Sequence, residues 1–461
     1  MKLGERSTTW GSTSCSVLAL LCAGCIPALP LRHLSLETER QVEMPQRRSA
    51  EVVRVQHTQP AEPSPITLDE LLQLAVLHHP DLQAAHARVE AARGRMIQAG
   101  LYPNPAFGPN IGQLGNSSPG LGEAGARFMQ TIVTGNKLGL AKAAAAHGVE
   151  AADWQAITKW HDVVARVRLA YFEVLTARRE RDTLGDIVRA SEEALKTATT
   201  LEKTGAGARP DVLRATVEFE QNRLKEQVAH RRVDAAWQNL LTAIGRPALA
   251  LDRLPQNRKE LEHSPPDYDW QRMLHCLRET SAELHEARSL IAQQEKVLAR
   301  AKADVKPDLS LQVNPFYNSD AREFRAQVIM TAPVPLFDRN QGNIRAAQAD
   351  LARTQAEERQ LELRLTEKLT GAYQRYQSAR QQVNAYRDII VPRARESVKL
   401  IEAGYRGGDK KYDYTAVLQV QQSLFQAQLA ETQSLGELWR AVVEIASILQ
   451  QNDLNAGCGI H

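Results

Sequence analysis

A mainly helical fold with a β-barrel part, laid out as two tandem copies of one plan, is the class that the sequence predicts. Three observations predict it. Helical periodicity runs on for lengths that no globular domain uses. Short stretches of period-two alternation come in pairs. One internal offset recurs along most of the chain.

The longest helical run spans 135–203. It holds no proline, and its only interior glycines are Gly139, Gly148 and Gly185. Apolar residues return at Val163, Val167, Tyr171, Val174, Leu184, Ile187, Ala194, Ala198 and Leu201. Steps of three, four and seven mark an α-helix with one sticky seam. At about 1.5 Å per residue the rod reaches roughly 100 Å. Breakers follow at Thr204-Gly205-Ala206-Gly207-Ala208-Arg209-Pro210, which cannot continue a helix. A return helix then starts with Asp211 as its expected N-cap and ends at Gly245-Arg246-Pro247. Rod, tip and return make a long antiparallel hairpin.

The same object appears again 202 residues later: Leu82 and Leu284, Pro105 and Pro307, Tyr171 and Tyr373, Gly205 and Gly407, Asp211 and Asp413, Trp237 and Trp439. Shared periodicity aligns apolar positions anywhere, but it does not align Pro, Gly, Asp and Trp, so the offset marks a duplication. The copies are expected at 66–255 and 271–450, joined by a linker at 256–270, with a tail at 451–461. Each opens on a shorter helix. In the first copy that helix starts at a capping box, Thr67-Leu68-Asp69-Glu70, and breaks at Pro80. In the second copy Pro392 is expected to kink the rod.

Between the opening helix and the rod lie two stretches that do not read as helix. In copy two, Leu309, Leu311 and Val313 alternate with Ser310, Gln312 and Asn314; Phe324, Ala326, Val328 and Met330 alternate with Arg325 and Gln327. Period two means one wet and one apolar face. The strands are expected at about 307–316 and 322–335, with weaker counterparts at 105–114 and 126–133. The loop Gly115-Asn116-Ser117-Ser118-Pro119-Gly120 reads as a turn. A strand of about ten residues suits a bilayer, yet lipid tolerates only closed barrels. Four strands cannot close. Three chains supply twelve, enough for an open lumen.

The front end reads as an export signal over 1–25, with Lys2 and Arg6 before the apolar core Val17-Leu18-Ala19-Leu20-Leu21. Leu21-Cys22-Ala23-Gly24-Cys25 resembles a lipobox, with Cys25 as the acylated residue and the outer-membrane lipid as its anchor. A plain signal peptide ending near Ala28 is the other reading. Residues 26–65 look like an extended tether. Beyond the leader only Cys276 and Cys458 remain, too far apart to suggest a disulfide framework.

The 461 residues carry 57 basic and 54 acidic side chains, a net +3. That balance offers no concentrated basic face, so no nucleic acid is expected as a partner. No phosphate loop, nucleophile elbow or catalytic carboxylate pair stands out, so neither an enzyme nor a cofactor is expected. His78, His79 and His86 read as solvated surface and not as a metal site, since adjacent helical histidines diverge. Trp237 and Trp439 read as packing residues.

Pro333-Val334-Pro335-Leu336-Phe337-Asp338-Arg339-Asn340-Gln341-Gly342 in copy two, and Thr134-Gly135-Asn136-Lys137 in copy one, resemble the strand-to-helix junctions of the TolC family of outer-membrane efflux proteins, the heavy-metal (CzcC-like) branch most of all. The likeness covers about 66–450. It implies a homotrimer in the bacterial outer membrane: a twelve-stranded barrel continued by an α-helical periplasmic tunnel. It also implies service as the exit duct of a tripartite pump, with a periplasmic adaptor and an inner-membrane transporter, an RND-type one for heavy-metal cations or other small toxic compounds. The hairpin tips, Gly205 with Asp211 and Gly407 with Asp413, then correspond to the adaptor contacts and the gate. Asp413 matches the first of two acids that ring the constriction in some relatives; Ala416 stands at the second, and Asp409 lies nearby. The competing role for Asp413 is a helix cap. Two other readings stay open: the exit channel of a type I protein-secretion system, and a periplasmic coiled-coil scaffold without a pore.

Overall fold

The computed structural model describes residues 66–112, 122–205, 207–246, 261, 264–319, 321–407, 411–452 and 454. The expected signal peptide, the tether, Cys25 and Asp409 lie outside them. The first helix, α1 (Leu68–His78), starts at the capping box: Thr67 Oγ1 accepts from Glu70 N at 3.3 Å, and the Glu70 carboxylate accepts from Thr67 N at 3.1 Å. α2 (Pro80–Ala99) follows after His79 alone, with Pro80 in its first turn, where the missing N–H costs nothing. His79 is not solvated surface. It is 5% exposed, and its Nδ1 accepts from Asp81 N at 3.1 Å, capping α2. His78 Nε2 instead meets the Arg246 guanidinium at 2.5 Å.

Strands β1 (Ala106–Gly112) and β2 (Glu123–Ile132) lead into α3 (Lys137–Lys203), 67 residues without interruption. α4 (Arg209–Ile244) returns alongside it. In the second copy α5 (Trp270–Thr280) and α6 (Ala282–Ala303) precede β3 (Leu309–Asn318) and β4 (Glu323–Thr331). The second rod is α7 (Gln341–Ala385), a π-turn at Tyr386–Ile390 and α8 (Val391–Arg406). Pro392 sits in the first turn of α8, and the π-turn ahead of it absorbs the hydrogen bond that proline cannot make. α9 (Tyr414–Ile448) closes the copy.

β4 ends at Thr331, short of the expected 335, because Pro333 and Pro335 have no N–H to give a ladder. β2 begins at Glu123, earlier than expected, since its start pairs with the end of β3: Glu123 faces Asn318. Both strand-to-helix junctions turn on an asparagine in the left-handed region, Asn136 and Asn340, each at φ 57°. Thr134 Oγ1 donates to the Pro307 carbonyl at 2.6 Å, while Thr134 N and Lys137 Nζ both donate to Asp308 at 2.9 Å, clasping the end of β2 in the first copy to the start of β3 in the second.

Neighbour contacts run α2–α3–α6–α7 beside the strands and α4–α3–α9–α7 farther away. The main core lies midway along the rods, where α1 and α5 pack onto them. Trp237 is fully buried there; Trp439 stacks on Phe172 at 4.7 Å and 8° and donates from Nε1 to the Leu261 carbonyl at 3.0 Å. Tyr376 Oη donates to the Pro266 carbonyl at 2.6 Å. Burial of each Leu, Ile or Val side chain of this core contributes about 1.5–3 kcal/mol. Cys276 on α5 is disulfide-bonded, which its distance along the chain from Cys458 does not foreshadow; its partner lies outside the described residues. No described helix is long and apolar enough to cross a membrane.

Candidate functional site: the two-faced sheet and the helical tips

The four strands form one antiparallel sheet in the order β1-β2-β3-β4. Directly paired residues share a face, so the register sorts every side chain. Along one row Phe107 faces Phe128, Phe128 faces Val313 and Val313 faces Val328; along others Leu311 faces Met330 and Tyr317 faces Phe324. The face made of these rows is apolar except for Gln130, whose amide donates to the Pro103 carbonyl at 3.0 Å. It is left uncovered by its own chain: Phe107 is 79% exposed and Phe324 84%. A patch of this kind needs an apolar medium or a partner.

The opposite face is mostly polar, with Met129, Phe316 and Ile329 as its large apolar side chains. Arg127 donates to Asn110 Oδ1 at 3.1 Å, Asn314 donates to Gln327 Oε1 at 3.4 Å, and Asn318 donates to Glu123 Oε1 at 3.3 Å. Arg325 pairs with Glu323 through Nε at 2.6 Å. Apolar-out and polar-in alternation is the pattern of a membrane barrel enclosing water. Among the described residues β1 and β4 keep free edges, and an unpaired edge in lipid is not tolerated.

At the far end of the rods the two tips pack on one another. Ala198, Ala215 and Tyr414 form a small core with Leu195, Val212, Tyr405 and Leu418 around it. Arg214 Nη1 donates to Thr415 Oγ1 at 3.0 Å, and the Tyr405 and Tyr414 rings lie 5.9 Å apart. Burial, with Tyr405, Asp211 and Glu218 nearby, pushes the Tyr414 phenol up to about 12; burial and then Asp211 raise Tyr405. Gly205 takes φ 78°, which only glycine adopts freely, and Gly407 sits at the end of α8 at φ −77°.

The two tip aspartates differ. Asp413 Oδ1 accepts from Ala416 N at 2.9 Å and caps α9. Asp211 caps nothing: α4 starts earlier, at Arg209 after Ala208, because Pro210 fits the first turn, and Asp211 sits inside that turn 3.8 Å from Arg214. Asp413→Ala is therefore expected to destabilise the start of α9 by about 1 kcal/mol, while Asp413→Asn, an equal cap, leaves it unchanged. Limited proteolysis at the second tip reads the difference. Equal protection in both variants removes the cap. In the same variants, an unchanged ion preference in planar bilayers leaves Asp413 with the cap alone.

No group of three or more His, Cys, Asp or Glu residues able to hold a metal ion occurs among the described residues. Reading along the chain missed the Arg127 face and the contact between tips. β1 and β2 hide their alternation behind Gly108, Gly112 and Gly125, so only the register reveals it.

The chain matches the family model described as "Outer membrane efflux protein" over residues 71–246 and 277–450. It is 26% identical over 399 residues to the cobalt-zinc-cadmium resistance protein CzcC of Cupriavidus metallidurans, covering 84% of this chain and 90% of that one. It is also 26% identical over 316 residues to protein CyaE of Bordetella pertussis, covering 63% and 65%. Among solved structures, the outer-membrane channel OprN superposes with TM-score 0.68 at 17% identity over 84% of this chain and 91% of that one. CusC superposes with 0.69 at 16% over 83% and 91%. VceC of Vibrio cholerae superposes with 0.68 at 17% over 83% and 95%. The fold is that of these channels, and the chain belongs to the outer membrane efflux protein family, as an outer-membrane efflux channel.

Proposed function

We propose that three copies of this chain close one twelve-stranded barrel and continue it as a helical periplasmic tunnel, the exit duct of a tripartite pump. The observation that carries the reading is the sheet with one lipid-compatible face, one wet face and two free edges. A single chain satisfies neither the face nor the edges; a β1 edge meeting a neighbour's β4 satisfies both. The repeats at 66–255 and 271–450 are the two units of each protomer. The tips with Gly205, Asp211, Gly407 and Asp413 face the periplasmic adaptor, an RND-type transporter feeds the duct, and Cys25 anchors the mature chain to lipid. Asp413, with Asp409 nearby, guards the narrow end.

Heavy-metal cations are the proposed cargo, on the likeness to a cobalt-zinc-cadmium resistance protein. Deleting the gene is expected to lower tolerance to Co²⁺, Zn²⁺ and Cd²⁺, and restoring it to return growth. Loss of tolerance to dyes and antibiotics alone, with metal tolerance intact, overturns the cargo.

A further inference from the structure

We infer that Arg127 is a specificity-determining residue: three copies form a positively charged band halfway along the barrel that disfavours passive cation passage. The inference rests on the proposed trimeric closure, which turns the polar face of the sheet inward. The described charges on that face are Glu123, Arg127, Glu323 and Arg325. Glu323 and Arg325 lie on one strand, pair with each other and cancel. Glu123, at the loop end of β2, accepts a hydrogen bond from Asn318.

Arg127 stands apart. Its guanidinium donates to the neutral Asn110, and among the described residues no carboxylate lies within 4.0 Å of it. Its row continues with Gly108 on one side and Asn314 and Gln327 on the other, and a methyl group built on Gly108 meets nothing within 4 Å. The side chain therefore stands in open space without a counter-charge. Beyond it, toward the helices, the inward positions of β2 are Met129 and Thr131, both neutral. Glu123 is four residues away, about 13 Å along an extended strand. The two side chains take different partners, Asn318 for Glu123 and Asn110 for Arg127, so the carboxylate is not the guanidinium's ion-pair partner.

Charges gathered on the wall of a narrow aqueous pore bias which ions enter. A basic band on that wall raises the barrier to cations relative to anions. Metal ions expelled by a pump then face a barrier to passive return.

The test is the reversal potential of the purified full-length protein in planar bilayers under a KCl gradient, for wild type, Arg127→Gln, Arg127→Glu and Arg127→Lys. Arg127→Gln is expected to raise the cation-to-anion permeability ratio about two- to fivefold, and Arg127→Glu to raise it further. Arg127→Lys keeps the charge and holds the wild-type ratio, which a merely structural role would not require. Conducting Arg127→Gln and Arg127→Glu pores with the wild-type ratio overturn the inference and leave the barrel intact. A wild-type protein that forms no pore at all overturns the barrel and the band together.

Discussion

Replacing Gly125 with alanine is expected to abolish assembly of the channel in the outer membrane, although the change adds one methyl group. A Cβ at this position falls 2.1 Å from the Pro315 carbonyl oxygen, 2.6 Å from Phe316 Cα and 2.7 Å from Phe316 Cβ. All three belong to the backbone or root of β3, so no side-chain rotation relieves the overlap. The strands themselves must separate. Gly125 pairs with Phe316, and Pro315 next to it has no N–H to donate. β2 and β3 are the central pair of the sheet and the seam between the two sequence copies. Opening that seam costs at least about 3 kcal/mol per chain, the upper range for overpacking a well-packed site. Gly108→Ala is the matched control, because its Cβ meets nothing within 4 Å. Heat-modifiable oligomer in outer-membrane fractions is the readout. It is expected to fall more than about tenfold in Gly125→Ala, consistent with a loss of this size, and to stay at the wild-type level in Gly108→Ala. Normal oligomer in Gly125→Ala refutes the close approach of β2 to β3.

What could be read along the chain, and what could not, follows the range of the interactions involved. The 67-residue rod of α3 is legible because a helix is a local object, and its seam needs only neighbours three and four residues away. The capping box at Thr67 and the break at Pro80 are equally local. Asp211 shows the limit of that logic: it has the right chemistry for a cap, yet Pro210 lets the helix begin one turn sooner, so the aspartate lands inside it. His79 looks like surface until α1 and α2 fold around it and its ring is enlisted as a cap. The strands of copy two are plain in their alternation, whereas those of copy one are diluted by glycines that the sheet uses for close approach and open space. Arg214 reaching Thr415, and Thr134 with Lys137 holding Asp308, join residues far apart in sequence. No periodicity records such pairs. Arg127 belongs to the same class: its meaning comes from a register across four strands.

Adjacent positions on β4 are expected to give opposite results when each is changed to arginine. Val328 lies in the row of Phe107, Phe128 and Val313, on the apolar face, and is 65% exposed in the single chain. Gln327 is one residue earlier and points to the other face, where Asn314 Nδ2 donates to it at 3.4 Å. In lipid, an arginine near the bilayer midplane costs about 2–4 kcal/mol per chain, and closure of a symmetric trimer incurs the cost three times. Val328→Arg should therefore lose most of its folded oligomer, and what remains should melt at a lower temperature. Gln327→Arg forfeits one long hydrogen bond, about 1 kcal/mol at most, and places its charge in water, so its oligomer should persist. Melting of the heat-modifiable band on gels checks both. If the apolar face were covered by protein and the polar face by lipid, the order would reverse; if neither face met lipid, both variants would assemble alike. Only the barrel arrangement makes Val328→Arg the damaging change and Gln327→Arg the tolerated one, because only there does a shift of one residue along the strand exchange hydrocarbon for water.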